Sequence, residues 1–305
     1  MLKHFDSLFD LMDAFPDEQA CVDHLRSIRW KDGEFCPHCG GLRVYTFSDR
    51  KTFKCGDCRA RFSIKVGTIF EDTKLPLRKW FMAIWLITNH PKGIASTTLA
   101  KDLKITQKSA WFVLHRLRHA AATPSFNAPL EGTVEADTTF VGGKEKNKHA
   151  NKKTPGSQGG ANKAVVFGMV ERDGELRAKH VPDGKASTLQ GEVRANVSKR
   201  SGLMTDEDRA FIGLGKDYVH RTVNHSLGEY VNLGGYGHTN TIEGVWALLK
   251  RQIIGIHHWV SEKHLDRYVQ EMTWRWNHRA MGVTDRMNDL FACVGGRLTY
   301  KALIA

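Results

Sequence analysis

The sequence predicts an α+β protein of several modules, in which a small metal-organised ribbon and a short helical module precede a larger mixed-sheet domain. Three observations predict it. Two Cys-x-x-Cys pairs stand 15 residues apart near the N-terminus, residues 77–120 carry helical periodicity, and from residue 133 alternating strands give way to strands mixed with helices.

At 305 residues, the chain has room for one full domain and smaller modules. Lys and Arg number 45 against 33 Asp and Glu, a formal net charge of +12. Such an excess favours a polyanionic partner through counterion release, and double-stranded DNA is the leading candidate. The best apolar run, Trp80 to Thr88, is far short of the roughly 20 residues a membrane helix needs. Asp6, Asp10 and Asp13 stand where a signal peptide would be basic and then apolar. No membrane association and a cytoplasmic location are therefore expected.

From Asp6 to Ile28, apolar residues recur at helical spacing, with a break at Pro16. Cys36-Pro-His-Cys39 and Cys55-Gly-Asp-Cys58 follow, among extended segments at 43–47, 52–54 and 61–66. Two such knuckles on short hairpins bring four thiolates to tetrahedral positions around a structural zinc ion, which replaces a core that so few residues cannot build. A reversible disulfide does not account for two pairs at this spacing. His38 lies between better ligands and reads as a bystander, while Cys21 and Cys293 read as buried thiols.

Three helices are predicted over 77–88, 96–103 and 107–119, with Thr106 as the cap of the third. The short link at 104–106 gives helix-turn-helix-like geometry, in which Gln107, Lys108, Arg116 and Arg118 face a DNA groove or its phosphates. A plain helical linker is the alternative.

Strands are predicted at 133–140, 164–171 and 176–181, then a helix at 185–197, strands at 202–206 and 220–224, and a long helix from about Thr239. A meander followed by strands alternating with helices is the order of an RNase-H-like mixed sheet. The modules divide as a helical lead-in (1–34), a zinc ribbon (35–70), a helix-turn-helix-like DNA-binding module (75–122), an RNase-H-like catalytic domain (131–285) and a C-terminal tail (286–305).

Asp137 falls inside the first strand of the large domain, Asp206 ends the fourth, and Glu243 opens the long helix. Carboxylates from three element ends can hold two divalent metal ions at a phosphodiester, and hard oxygen ligands suit magnesium or manganese. Ile242, Val245, Trp246, Leu249 and Ile253 form the buried stripe of that helix; Glu243 lies off it, and Lys250 projects from the same face two turns on. Lys250 and the adjacent Arg251 are candidate phosphate contacts. Glu207 or Asp208 could replace Asp206 if the strand runs longer. Asn240 is a rival to Glu243, although a carboxylate binds magnesium more strongly than an amide. Lys144, Lys146 and Lys148, in a glycine- and asparagine-rich loop, are candidate DNA backbone contacts. Trp274 and Trp276 cannot share one helix face, which leaves room for at least one exposed ring, but most tryptophans of the C-terminal helices read as packing residues.

Val134-Glu135-Ala136-Asp137 through Gly142-Gly143-Lys144, Thr205-Asp206-Glu207, Val223-Asn224-His225-Ser226, and His238-Thr239-Asn240-Thr241-Ile242-Glu243 with Leu248-Leu249-Lys250-Arg251 resemble bacterial insertion-sequence transposases of the DDE type with an N-terminal zinc ribbon. Lys263-His264-Leu265, Arg267-Tyr268 and Arg275-Trp276-Asn277-His278-Arg279 resemble the family's C-terminal helix. The resemblance covers the ribbon and nearly everything from Gly132 to about Met281. It implies an RNase-H-like fold, magnesium-dependent cleavage at element ends and strand transfer by the freed 3′ hydroxyl. It makes Asp137, Asp206 and Glu243 the catalytic acids and Lys250 the basic residue beside them. Some relatives carry Asn as the third member. Ala136 and Thr138-Thr139-Phe140 depart from the Val-Asp-Glu-Thr-Tyr of many relatives, though not at a presumed ligand. Double-stranded DNA, as element ends and target, is the implied partner, with a homo-oligomer assembled on it. A DNA-binding regulator with a non-catalytic large domain, and an RNase-H-like nuclease without strand transfer, are the alternatives.

Overall fold

The structure is a computed structural model that describes residues 3–122, 128–143, 147, 149, 151, 153, 160, 162–223 and 237–305. The chain divides into two compact units, one of Met1–Thr123 with His278–Ala305 and one of Pro124–Asn277.

The first unit begins with α1 (Leu8–Ala14), opened by a reciprocal Ser7–Asp10 capping box, and α2 (Glu18–Arg29), capped by Asp17. The ribbon follows as β1 (Val44–Thr46), β2 (Thr52–Cys55) and β3 (Arg61–Ser63), antiparallel in that order. Phe53 and Phe62 stand opposite each other on β2 and β3 with rings 5.8 Å apart, and Trp30 packs edge-on to Phe53 at 4.9 Å. Next come α3 (Leu77–Asn89), α4 (Ser96–Asp102) and α5 (Gln107–Ala121), the last capped by the Thr106 hydroxyl as the sequence suggests.

Residues 286–305, read from the sequence as a tail, are instead structured parts of this unit. They include most of α9 (Val283–Ala292) and all of α10 (Tyr300–Ile304). Phe81 of α3 lies 4.4 Å from Phe291 of α9 and 4.8 Å from Phe15, so an aromatic core joins both ends of the chain. Sequence periodicity cannot show this, because it does not say which apolar stripe meets which.

The second unit is built on a five-stranded mixed sheet. Its strands are β4 (Thr133–Val141), β5 (Ala164–Glu171), β6 (Leu176–Val181), β7 (Gly202–Thr205) and β8 (Val219–Thr222), in spatial order β6-β5-β4-β7-β8. β4, β5 and β6 form the antiparallel meander, while β7 and β8 run parallel to β4. This is the RNase-H-like arrangement, and the fold is α+β.

Strand alternation gives the sheet two packed faces. Val134, Ala136, Phe167 and Met169 face Leu189 and Val193 of α6 (Ala186–Asn196). Val166, Val170, Leu176 and Ala178 face α7 (Asn240–Gln252) and α8 (Glu262–Asn277) through Ile242, Val245, Trp246, Leu265 and Val269. Between those helices, Ile253–His257 forms one π-helical turn. Trp274 is buried and Trp276 is half-buried against this core, as packing residues, while Trp259 is 69% exposed. Among the described residues, no helix is long and apolar enough to cross a membrane.

Candidate active site

The acids approach one another because the middle of β4, the end of β7 and the start of α7 meet on the α7 face of the sheet. The register places Asp137 of β4 opposite Gly168 of β5. A Cβ on residue 168 would lie 2.5 Å from Cη2 of Trp246, so the missing side chain makes room for the indole. That indole donates from Nε1 to Asp137 Oδ2 at 2.9 Å, and the Thr138 backbone N–H donates to Oδ1 at 2.7 Å.

Asp137 is pushed up from the ordinary 3.8 to about 7. Burial is the main cause, and the charge of Asp206 and then that of Glu243 add to it, against the two hydrogen bonds that favour the ionised form. Asp206 and Glu243 are therefore close enough to Asp137 to act on its proton.

Asp206 directly follows β7, where continued alternation directs it to the same face as Met204. Its Oδ1 accepts from the Asp208 N–H at 3.1 Å. Asp208 itself caps the 3-10 turn Arg209–Phe211, accepting from Ala210 N at 2.8 Å, and Glu207 is exposed. The strand ends at Thr205, and Asp206 is the acid of this segment whose charge acts on Asp137. Glu243 is exposed in the first turn of α7, with Thr239 Oγ1 donating to its Oε1 at 3.1 Å. Asn240 opens the same helix and is exposed. Lys250 and Arg251 are exposed in the last turn of α7, as the stripe of buried residues requires.

Two further residues border this site. Glu135, two positions before Asp137 on the same face, is fully buried and accepts from Thr241 and Ile242 at the start of α7. Strand alternation, which pairs it with Asp137, was the available signal. His220 of β8 shares a 2.9 Å hydrogen bond with Thr205 Oγ1, beside Asp206, and burial holds its imidazole below the ordinary pKa.

The donor chemistry fits magnesium or manganese. Each carboxylate oxygen has two acceptor positions, so the two hydrogen bonds on Asp137 leave capacity for a cation. A divalent ion would also reverse the repulsion that raises its pKa. Among the described residues, only the four cysteines have ligand atoms all within 4.8 Å of one another. The acids stand wider apart, as suits ions that also take substrate oxygens and water.

In the ribbon, Cys36 and Cys58 sulfurs lie 3.7 Å apart, and those of Cys39 and Cys55 lie 3.6 Å apart. Backbone N–H groups of Cys58 and Asp57 point at the Cys55 sulfur and help to bring its thiol down to about 7. Four thiolates at this spacing are a tetrahedral zinc site. His38 is exposed, Cys21 is buried and Cys293 is half-buried.

The candidate DNA contacts separate. Gln107 and Lys108 are exposed at the start of α5. Arg116, expected to face DNA, is instead buried at 6% exposure: its guanidinium donates to the backbone carbonyls of Ile69, Glu71 and Leu298. Arg118 is also buried. The C-terminal half of α5 serves the interior of the first unit, which leaves its N-terminal turn to the solvent. Lys144, Lys146 and Lys148, together with Asn224, His225 and Ser226, lie outside the described residues.

Comparison with known proteins agrees with this arrangement. Residues 129–277 match a family model described as an ISXO2-like transposase domain, and residues 16–61 match a transposase zinc-ribbon domain. A relative from Halobacterium salinarum, described as an uncharacterized protein in transposable element ISH50, is 29% identical over 280 residues, spanning 86% of this chain and 92% of that protein. With the ribbon and the sheet domain matched in this order, the chain carries a region similar to a transposase zinc ribbon followed by one similar to an ISXO2-like transposase domain.

Proposed function

We propose that this chain is a DDE-type transposase that binds element ends and joins them to target DNA, with Asp137, Asp206 and Glu243 as the metal-holding acids. The observation that carries the reading is the electrostatic coupling of Asp137 to the other two. Three acids placed so that two of them raise the proton affinity of the third are unfavourable in a structural role. They are what a dication at a phosphodiester needs.

Divalent magnesium or manganese, when bound, neutralises charge at the phosphate and lowers the pKa of the attacking oxygen. The chain's own residues do the rest. Trp246 and the Thr138 N–H hold one carboxylate oxygen of Asp137 each, which fixes its orientation and leaves lone pairs on both oxygens for a cation. Lys250 and Arg251, further along the helix of Glu243, meet the DNA backbone beside the reacting phosphate. The ribbon and the helices over 75–122 bind the element ends, with Gln107 and Lys108 at the groove. In the joining step a terminal 3′ hydroxyl attacks a target phosphorus. One phosphodiester forms as another breaks: the attacking hydroxyl gives its proton to solvent, and the target strand's 3′ oxygen leaves and takes one up as a free 3′ hydroxyl. The protein acts as a homo-oligomer assembled on DNA.

The test supplies purified protein and Mn(II) with a precut element end and plasmid DNA. Joined product is expected from wild type and none from Asp137→Asn, with end binding unchanged. Normal joining by that variant would overturn the assignment. Cleavage without joining would make the protein a nuclease of the same fold.

A further inference from the structure

Glu135 and Asp137 share a strand and a face, yet the protein treats them in opposite ways. Glu135 is 0% exposed. Its four acceptor positions are all filled: Oε2 by Thr241 N at 2.8 Å and Ile242 N at 3.0 Å, Oε1 by Thr241 Oγ1 at 3.0 Å and Arg172 Nε at 2.7 Å, with His238 Nδ1 also 3.1 Å from Oε1. No capacity is left for a metal ion. Glu135 is therefore excluded as a fourth ligand, although sequence spacing alone would make it a candidate.

What it does instead follows from its partners. Thr241 and Ile242 are the second and third residues of α7, and their N–H groups belong to the four that a helix leaves without an intrahelical acceptor. Thr239, at the cap position, gives them no side-chain bond. Glu135 supplies that cap from the neighbouring strand and sets its charge against the positive end of the helix. Arg172 adds a second tie, with Nε on Glu135 and Nη2 on the His238 carbonyl 2.8 Å away, just ahead of the helix. A buried ion pair contributes little net stability compared with apolar packing, so what this cluster specifies is the place and direction of α7.

We infer that Glu135 is a positioning residue: it locks the first turn of α7 to β4 and thereby sets Glu243 relative to Asp137. The inference rests on the reading of these acids as metal ligands given above. The Ile242 N–H held by Glu135 belongs to the residue immediately before Glu243, so any slip of that turn moves the Glu243 carboxylate with it. Metal sites tolerate distance errors of only about 0.2 Å.

The test uses full-length, zinc-loaded protein and titrates Mn(II), with free Mn(II) followed by electron paramagnetic resonance. Glu135→Gln keeps the shape but removes the negative charge that faces the start of α7 and turns an amide NH2 towards Arg172 Nε, itself a donor. It is expected to weaken Mn(II) binding about tenfold or more, to leave element-end binding within about twofold of wild type, and to regain joining at raised Mn(II). Thr241→Val removes only the hydroxyl contact. It should shift Mn(II) affinity less but in the same direction, which keeps the inference open to refutation if the first variant does not fold. Wild-type Mn(II) affinity in a folded Glu135→Gln, or in Thr241→Val where the first does not fold, would overturn it while leaving the ligand reading intact. Mn(II) binding indifferent to Asp137→Asn would overturn the ligand reading and this inference with it.

Discussion

Asp137→Asn is predicted to make the metal-free protein more stable in alkaline buffer. The carboxyl of Asp137 is raised from 3.8 to about 7, so between those values the folded protein holds a proton that the unfolded chain has lost. Stability must then fall as pH rises from about 4 through 7, and the full penalty is reached above 7. At about 1.4 kcal/mol per tenfold change in proton affinity, the penalty is about 4 kcal/mol, of which about 2.5 kcal/mol develops between pH 5 and pH 8. Contact with water at its open edge trims this, and an asparagine loses about 1 kcal/mol because its amide nitrogen cannot accept from both Trp246 and Thr138. That loss is independent of pH, so the decisive quantity is the change in the difference between the two proteins. Calorimetry in buffer freed of divalent ions, without a chelator so that the ribbon keeps its zinc, should show the variant gaining on wild type by about 2 kcal/mol from pH 5 to pH 8. For the second unit this is about 4–8 °C in Tm. Added Mg(II) at pH 8 should stabilise wild type and not the variant. Two proteins that lose stability in parallel over this range would refute the argument, since Asp137 would then titrate as an ordinary surface acid.

Gly168→Ala should displace the Trp246 ring, break its bond to Asp137 and cost about 1–3 kcal/mol in a urea melt, with weaker Mg(II) protection in the same experiment. Cys39→Ser should release the ribbon's zinc, read by a colorimetric chelator, and melt the first unit's ribbon while the transition of the second unit stays in place. Arg116→Ala should leave three buried carbonyls without their donor and cost about 3 kcal/mol or more in chemical denaturation. The folded fraction should bind element ends as wild type does. Lys108→Ala should behave oppositely, with unchanged stability and a salt dependence of end binding reduced by about one ion.

What the sequence could and could not disclose divides along range. Strands β4, β5 and β6 were legible almost to the residue because β4 alternates and β5 and β6 are short apolar segments parted by the Asp173-Gly174 turn, and the Thr106 cap is a signal contained in four residues. Asp206 could not be separated from Asp208 by spacing, because the choice depends on Asp208 folding back to cap its own short turn. Arg116 looked like a surface cation because a helical pattern carries no record of the Leu298 carbonyl that closes over it. Glu135 was passed over for the same reason: its meaning lies in Thr241, on a helix more than a hundred residues away. Burial of a polar group tends to be decided by partners distant in sequence. Apolar periodicity is local and therefore readable.

The return of the chain to its first unit sets an order of events during synthesis. The N-terminal helices and ribbon leave the ribosome early, but Phe291 and the Leu298 carbonyl, which complete their aromatic core and the seat of Arg116, are translated only after the whole of Pro124–Asn277. At 5–20 residues per second that interval is about 10–30 seconds. A nascent chain therefore presents a finished ribbon beside an unfinished helical module, and completes the packing of its first unit only after the whole sheet domain has been made.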